Sequence, residues 1–359
     1  MRIDEMKNSD LKEEYRARYY PIFNNFASRL HTLLEELVKS EGISVAQIEH
    51  RAKSPESLAG KLKRKQYQDP FSDIKDLAAL RVVTYYNDDV QNVAEVIRRE
   101  FAVDNEHSSD KIEELAVDEF GYRSFHLVCF LQSPRDILPE WRQFAGLAVE
   151  IQIRSVLQHA WAAISHKLDY KMASQAPAEL RRQLFRLSAL LELADEQFAS
   201  LRNQTKQINA EYKKEVQLGD LEIPLNLNSL IEYADVKLDF ERWESAGRSV
   251  GMKEAVMDEY GLKVAPEHVL YTLQALKVEK NSELDSLLKK HFPNAETVLR
   301  EFQTLLKAKG GQFEAVGYDI INVVLTISEC VRLPKGFEWP MYFYPPIRST
   351  IRELVKRST

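Results

Sequence analysis

VEIQIRSVLQHAWAAISHKLDYK, Val149–Lys171, decides the fold. Val149, Ile151 and Ile153 alternate with Glu150, Gln152 and Arg154, the period of a strand with one apolar and one polar face. Ser155 then caps a helix in which Val156, Leu157, Trp161, Ile164 and Leu168 recur at helical spacing and are expected to bury one side. A carboxylate, an amide and a guanidinium on one strand face, at the mouth of a strand-to-helix turn, suit a site for metal and phosphate. A sheet face simply wetted by solvent is the plain alternative.

Working outward, the same strand–helix grammar repeats. Upstream, FGYRSFHLVCFL (Phe120–Leu131) reads as a turn feeding a strand, with Tyr122, Ser124 and His126 on one face and Phe125, Leu127 and Cys129 on the other. Asp104–Glu119 is acidic and weakly periodic, so it reads as a mobile loop. Asp88–Phe101 is an amphipathic helix with Val90, Val93, Val96 and Ile97 inward. DIKDLAALRVVTYY (Asp73–Tyr86) gives a turn with Asp76 and a buried strand carrying Arg81. In RAKSPESLAGKLKRK (Arg51–Lys65), Ser54 and Pro55 start a helix. Ser57, Lys61 and Arg64 share one stripe of it, with Arg51 and Lys53 just before. Cations and a hydroxyl near a helix N-terminus suit a polyphosphate; a solvated lysine face is the alternative. A strand near Val45–His50 and a long helix over Leu11–Ser40 complete the set. Strands alternating with helices predict an α/β fold, a mixed sheet flanked by helices.

Downstream, Ala178–Lys213 reads as one or two helices with Leu184, Leu187, Leu190, Leu191, Leu193 and Phe198 as the apolar stripe, and Leu218–Asn228 as a linker. From Leu230 the chain is mostly helical, broken by Gly251, Gly261, Pro266, Pro293 and Gly310–Gly311, and it closes on an aromatic, proline-rich stretch. Two domains are expected, 1–215 and a mostly helical 216–359. The net charge of −6 over 359 residues excludes a global nucleic-acid signature, so any such surface must be local. Cys129 and Cys330 sit in apolar runs and read as buried thiols of a reducing compartment. The charged N-terminus carries no signal-peptide pattern and the most apolar window, Ile320–Ile327, is too short to span a bilayer, so a cytoplasmic protein without a membrane partner is expected.

Four motifs in fixed order, R-x-K-x(3)-S-x(3)-K-x(2)-R at Arg51–Arg64, D-x(4)-R at Asp76–Arg81, G-Y-x-S-x-H at Gly121–His126 and E-x-Q-x-R at Glu150–Arg154, resemble the synthetase domain of the RelA/SpoT family. The resemblance implies a pyrophosphokinase that moves the β,γ-pyrophosphate of ATP, with Mg²⁺, to a ribose 3′-hydroxyl. It implies that Arg51 and Arg81 sandwich the adenine, and that Lys53, Ser57, Lys61 and Arg64 hold the triphosphate. Asp76 and Glu150 would bind Mg²⁺, and Glu150 would take the proton of the attacking hydroxyl, with His126 near the transferred group. Tyr122 would stack on the acceptor base, His159 would lie on the acceptor side, and Gln152 and Arg154 would support the metal site.

Around the acceptor the chain departs from guanosine-accepting relatives, which usually carry lysine and asparagine where it has Asp118 and Phe120; Glu119 adds a further acid. The sequence therefore also resembles toxic small alarmone synthetases, including fused CapRel-type toxin–antitoxin proteins of phage defence. That implies the tRNA 3′-CCA end as acceptor and a C-terminal region that restrains the toxin until a phage protein engages it. Tyr342 and Tyr344, with Phe337 and Trp339, are candidates to plug the adenine pocket; an ordinary aromatic core is the alternative. A (p)ppGpp synthetase using GDP or GTP is the alternative enzyme, and a catalytically dead binding sensor the non-enzyme one. With no His-Asp dipeptide, the hydrolase half of the long relatives is not expected.

Overall fold

A computed structural model of the chain describes residues 10–110, 124–167, 177–255, 259–335, 337 and 345–358. They fall into two compact units, Met1–Arg202 and Asn203–Thr359. The division lies inside a long helix, upstream of the expected 215.

The first unit is built on a five-stranded sheet of order β1-β2-β5-β4-β3, comprising β1 (Val45–Ala52), β2 (Ala78–Thr84), β3 (Phe101–Asp110), β4 (Phe125–Leu131) and β5 (Val149–Ser155). β2 and β5 run parallel, and the other neighbours are antiparallel. The mixed order expected from the sequence is therefore present, and β3 and β4 pair as antiparallel neighbours.

The alternation of β5 works as its sequence dictates. Val149, Ile151 and Ile153 are fully buried and join Leu80, Val82, Phe125 and Leu127 in one core. Helix α1 (Tyr20–Ser40) lays Phe23, Phe26, Leu30 and Leu34 into that core. Before it the helix widens into a π-helical turn, Tyr15–Tyr19. Pro21 explains this, because it has no N–H to donate and its ring crowds the carbonyl four residues back. Helix α2 (Pro55–Arg64) starts as expected, with the Ser57 N–H donating to the Ser54 hydroxyl at 3.2 Å. The short α3 (Pro70–Asp73) precedes β2, and α4 (Asn87–Glu100) buries Val90, Val93, Val96 and Ile97.

Three expectations are corrected. Residues 104–110 are strand rather than mobile loop; 111–119 lie outside the described residues. β3 is an edge strand with a register shift between Asp104 and Ser109, where the Asp104 carboxylate accepts the Glu106 and His107 N–H groups. A polar edge strand has no apolar alternation to reveal it. Helix α5 (Val156–Lys167) leaves Val156 and Ile164 exposed. The stripe of α6 (Ala178–Leu218) is likewise exposed at Leu187, Leu190, Leu193 and Phe198. Periodicity identified both helices; it does not say that a partner covers the face. α6 is held at its polar positions instead. Asp195 accepts from the Ser155 hydroxyl, and Arg202 pairs with Asp88 and Asp89 while lying over the Tyr86 ring.

The second unit is helical: α7 (Leu227–Lys237), α8 (Phe240–Ser249), α9 (Glu259–Ala275), α10 (Asn281–His291), α11 (Ala295–Ala308), α12 (Gly317–Ser328) and α13 (Pro345–Ser358), with a two-stranded pairing of β6 (Lys253–Glu254) and β7 (Glu314–Ala315). The apolar window Ile320–Ile327 is buried throughout and makes α12 the central helix, as a helix apolar on all sides requires. A Cβ at Gly317 would collide with the Phe240 ring. Gly261 and Pro266 do not break the chain as expected; both lie inside α9. Cys129 and Cys330 are free and buried. Among the described residues no helix is long and apolar enough to cross a membrane.

Candidate active site

The polar face of the sheet carries the chemistry because direct cross-strand partners share a face. Glu49 pairs with Arg81, Arg81 with Gln152, Gln152 with His126 and His126 with Ser109, a row across all five strands. The next row sets Arg51 beside Ala79, Glu150 and Val128.

Two cavities open on this face. The first, about 380 Å³, is lined by Glu49, His50, Arg51, Arg81 and Gln152. Arg81 donates to Glu49 at 2.8 Å. The second, about 730 Å³, is lined by Lys61, Lys65, Tyr67, Lys75, Asp76, His107 and Glu150.

Asp76 is the hinge of the cationic side. Lys53 reaches its Oδ2 at 2.7 Å and Lys61 its Oδ1 at 3.0 Å. Burial pushes the carboxyl up, but the two ammonium groups outweigh it and hold Asp76 below the usual carboxylate range. Lys53 is itself placed by β1, and its backbone carbonyl accepts the buried Tyr15 hydroxyl at 2.8 Å.

Glu150 centres a second polar cluster of the same cavity. His126 Nδ1 lies 3.2 Å from Oε1, and Gln152 donates to Oε2 at 2.9 Å. Gln152 in turn accepts from Arg154 at 2.7 Å, and His126 Nε2 meets the Ser124 hydroxyl at 3.0 Å. Burial raises Glu150, and the charge of Asp76 adds to that. The hydrogen bonds from His126 and Gln152 prevail, so Glu150 stays ionised and its pKa falls below the usual value. Arg154 is pushed down to about 10 by burial and by neighbouring Arg81. His159 is also driven toward its neutral form, by burial first and then by Arg81 and Arg154. Arg81 Nε, Arg154 Nε and His159 Nδ1 are buried with no hydrogen-bond partner among the described residues. Such donors and acceptors suit a ligand that supplies the missing bonds.

A family model described as "Region found in RelA / SpoT proteins" matches residues 50–175. The chain is 31% identical to GTP pyrophosphokinase YjbM of Bacillus subtilis (strain 168) over 172 residues, 46% of this chain and 75% of that protein. The chain belongs to the RelA/SpoT family. A second relative, GTP pyrophosphokinase YwaC of the same organism, is 27% identical over 164 residues, 44% of this chain and 75% of the relative. The crystal structure of small alarmone synthetase 1 from Bacillus subtilis aligns at 27% identity over 54% of this chain and 99% of that one, with a TM-score of 0.45. The chain is a RelA/SpoT-type pyrophosphokinase.

Of the residues that the RelA/SpoT resemblance singles out, the fold brings Lys53, Lys61 and Asp76 into one polar cluster and His126, Glu150, Gln152 and Arg154 into another, and sets Arg51 and Arg81 in the smaller cavity. Two stand apart. Arg64 Nε donates to Gly60 of its own helix at 3.1 Å, and Ser57 is engaged in the Ser54 cap. His159 sits by Arg81 and Arg154. Tyr122, Tyr342 and Tyr344, with Asp118, Glu119, Phe120 and Trp339, lie outside the described residues. Sequence reasoning missed Glu49, Tyr67 and Lys75. Glu49 had a signal, since it stands two residues before Arg51 and so shares its strand face. Tyr67 and Lys75 lie in a connector with no period to mark them.

Proposed function

We propose that the protein transfers the β,γ-pyrophosphate of ATP to the 3′-hydroxyl of a guanosine nucleotide, GDP or GTP. The observation that carries the reading is that a lysine-clamped carboxylate, Asp76, and a hydrogen-bonded carboxylate, Glu150, line one cavity.

Lys53 and Lys61 meet the triphosphate, and exchange their contacts with Asp76 for contacts with phosphate oxygens. Arg51 and Arg81 flank the adenine in the adjoining cavity, a use that suits planar guanidinium groups. Asp76 and Glu150 fit Mg²⁺, which takes one or two carboxylates together with substrate phosphates. Among the described residues no group of three or more His, Cys, Asp or Glu forms a metal cage, so the phosphates would complete the shell. The metal supplies charge neutralisation on the transferred group. Glu150 accepts the hydroxyl proton as the 3′-oxygen bonds to the β-phosphorus and the bond to the α-phosphate oxygen breaks, releasing AMP. His126 orients Glu150 and is itself fixed by Ser124.

The guanosine acceptor is supported by the two relatives, both named GTP pyrophosphokinase. A second reading, the tRNA 3′-CCA end, is favoured by Asp118 and Glu119 just before Tyr122. An acid beside the 5′-diphosphate of such an acceptor would repel it by about 1–4 kcal/mol in a wet cleft. Restraint of such a toxin by residues 216–359, and its release by a phage protein, rest on the sequence resemblance alone.

Transfer of label from γ-³²P ATP, with Mg²⁺, to GDP, GTP and bulk tRNA in parallel tests the reading. Labelled guanosine nucleotide is expected. Label on tRNA alone would replace the acceptor, and label on nothing would sink both readings.

A further inference from the structure

The second unit contains a cationic cavity built around a buried acid. Glu329, at the C-terminal end of α12, is 5% exposed. Lys290 Nζ at 2.6 Å and His291 Nε2 at 2.5 Å share its Oε1, and Arg332 Nη1 reaches Oε2 at 3.0 Å. Burial pushes Glu329 up, yet these donors bring it down to about 2. One carboxylate therefore serves as a base plate for an ammonium group, a guanidinium group and an imidazole.

The base plate does not cover what it holds. The side chains of Lys290 and Arg332 remain 62% and 47% exposed, and both line a cavity of about 440 Å³. Arg332 is fixed at a second point, because its Nη2 donates to the Leu276 carbonyl at 3.0 Å. The next residue, Lys277, also lines the cavity and stands in the left-handed region at φ 58°. Its N–H donates to Gln274 and that of Val278 to Leu273, the closing turn of α9. That position favours glycine or asparagine, so a lysine there is held against its backbone preference. An outlier of this kind points to use of the side chain. Glu283 is an acid on the wall, and its carboxylate accepts the Glu279 N–H at 2.9 Å.

We infer that this cavity binds a phosphate-bearing anion, either free pyrophosphate or the polyphosphate of a nucleotide. A guanidinium fork fixed at two points, flanked by two ammonium groups, matches an anion with several oxygens better than a single carboxylate. The volume falls within the range of small-molecule sites. Lys277, Lys290 and Arg332 against Glu283 and Glu329 leave the cavity with a net positive charge in a chain of net charge −6. Nothing in this assignment depends on the acceptor or the chemistry of the first unit.

Hydrogen exchange of the full chain, read by mass spectrometry with and without millimolar pyrophosphate or ADP, tests it. Slowed exchange across residues 276–290, saturating with ligand, is expected. Lys277→Glu should abolish the slowing. Lys277→Gly should weaken apparent affinity about tenfold, the worth of one charge-assisted contact, with an unchanged or higher Tm because glycine suits the left-handed backbone. Stronger slowing by pyrophosphate identifies a free-anion site, and stronger slowing by ADP a nucleotide site; both support the class. No slowing by either probe, or slowing untouched by both variants, overturns the proposal. Protection at residues 51–65 reports the first unit and is read separately.

Discussion

Asp76 and Glu329 are both acids clamped by cations, and they are built for different ends. Asp76 lies on the wall of an open cavity with side-chain exposure of 23%, and its two lysines approach from separate elements. Glu329 is 4% exposed at its side chain and meets Lys290, His291 and Arg332 at the end of the central helix. A half-open clamp can exchange its partners with a substrate. A closed one can only be kept or lost, because stripping a partner leaves a charge buried and uncompensated. Ion pairing therefore says little about role until the exposure of the acid is known.

The comparison breaks most easily at the catalytic face. Asp76→Asn and Glu150→Gln should each lower pyrophosphate transfer by about 10²–10⁴-fold, the usual worth of a positioned acid–base or charge-bearing group, while urea midpoints move little. A large loss of stability in Asp76→Asn would make the two clamps alike. Glu329→Gln should instead cost about 1.5–3 kcal/mol in urea denaturation, the worth of hydrogen bonds to a charged group; a loss below about 1 kcal/mol would reduce it to a surface contact.

The pH dependence sharpens the same point. Glu329 is depressed to about 2 from an ordinary 4.5, so its contribution is fully present above 4.5 and is lost as pH falls toward 2. Exchange rates of residues 320–330 should rise through that window in the native chain and less so in Glu329→Gln. The smallest effect belongs to an open pair. Glu49 is 48% exposed against Arg81, and Glu49→Gln should change stability by less than about 1 kcal/mol, measured by the same denaturation.

The sequence made β5, β2 and α4 legible because each has one face to bury and its period says which. The Ser54–Pro55 start of α2 was equally plain, since a cap is a local event. β3 was not, because an edge strand of Asp, Asn, Glu, His and Ser carries no apolar alternation. The exposed leucines of α6 misled for the converse reason: a periodic face announces a helix and leaves its cover unspecified. Within the site, motif spacing brought out Lys53, Lys61, Asp76 and Glu150 singly. That both lysines close on one carboxylate is a product of tertiary folding, and no spacing along the chain encodes it. Arg64 shows the limit from the other side, since it shares the stripe of Lys61 and yet bonds to its own helix.

The row Glu49–Arg81–Gln152–His126–Ser109 has a genetic consequence. Its members on β2, β4 and β5 share one face because those strands keep a two-residue alternation. Deleting a single codon from the start of β5 would present Glu150, Gln152 and Arg154 to the core and Val149, Ile151 and Ile153 to the nucleotide. The same deletion in the connector between β4 and β5 would leave that face in place. For this enzyme reading frame has a second, structural meaning: inside the strands a lost residue erases the chemistry outright, while a few positions away it only shortens a loop.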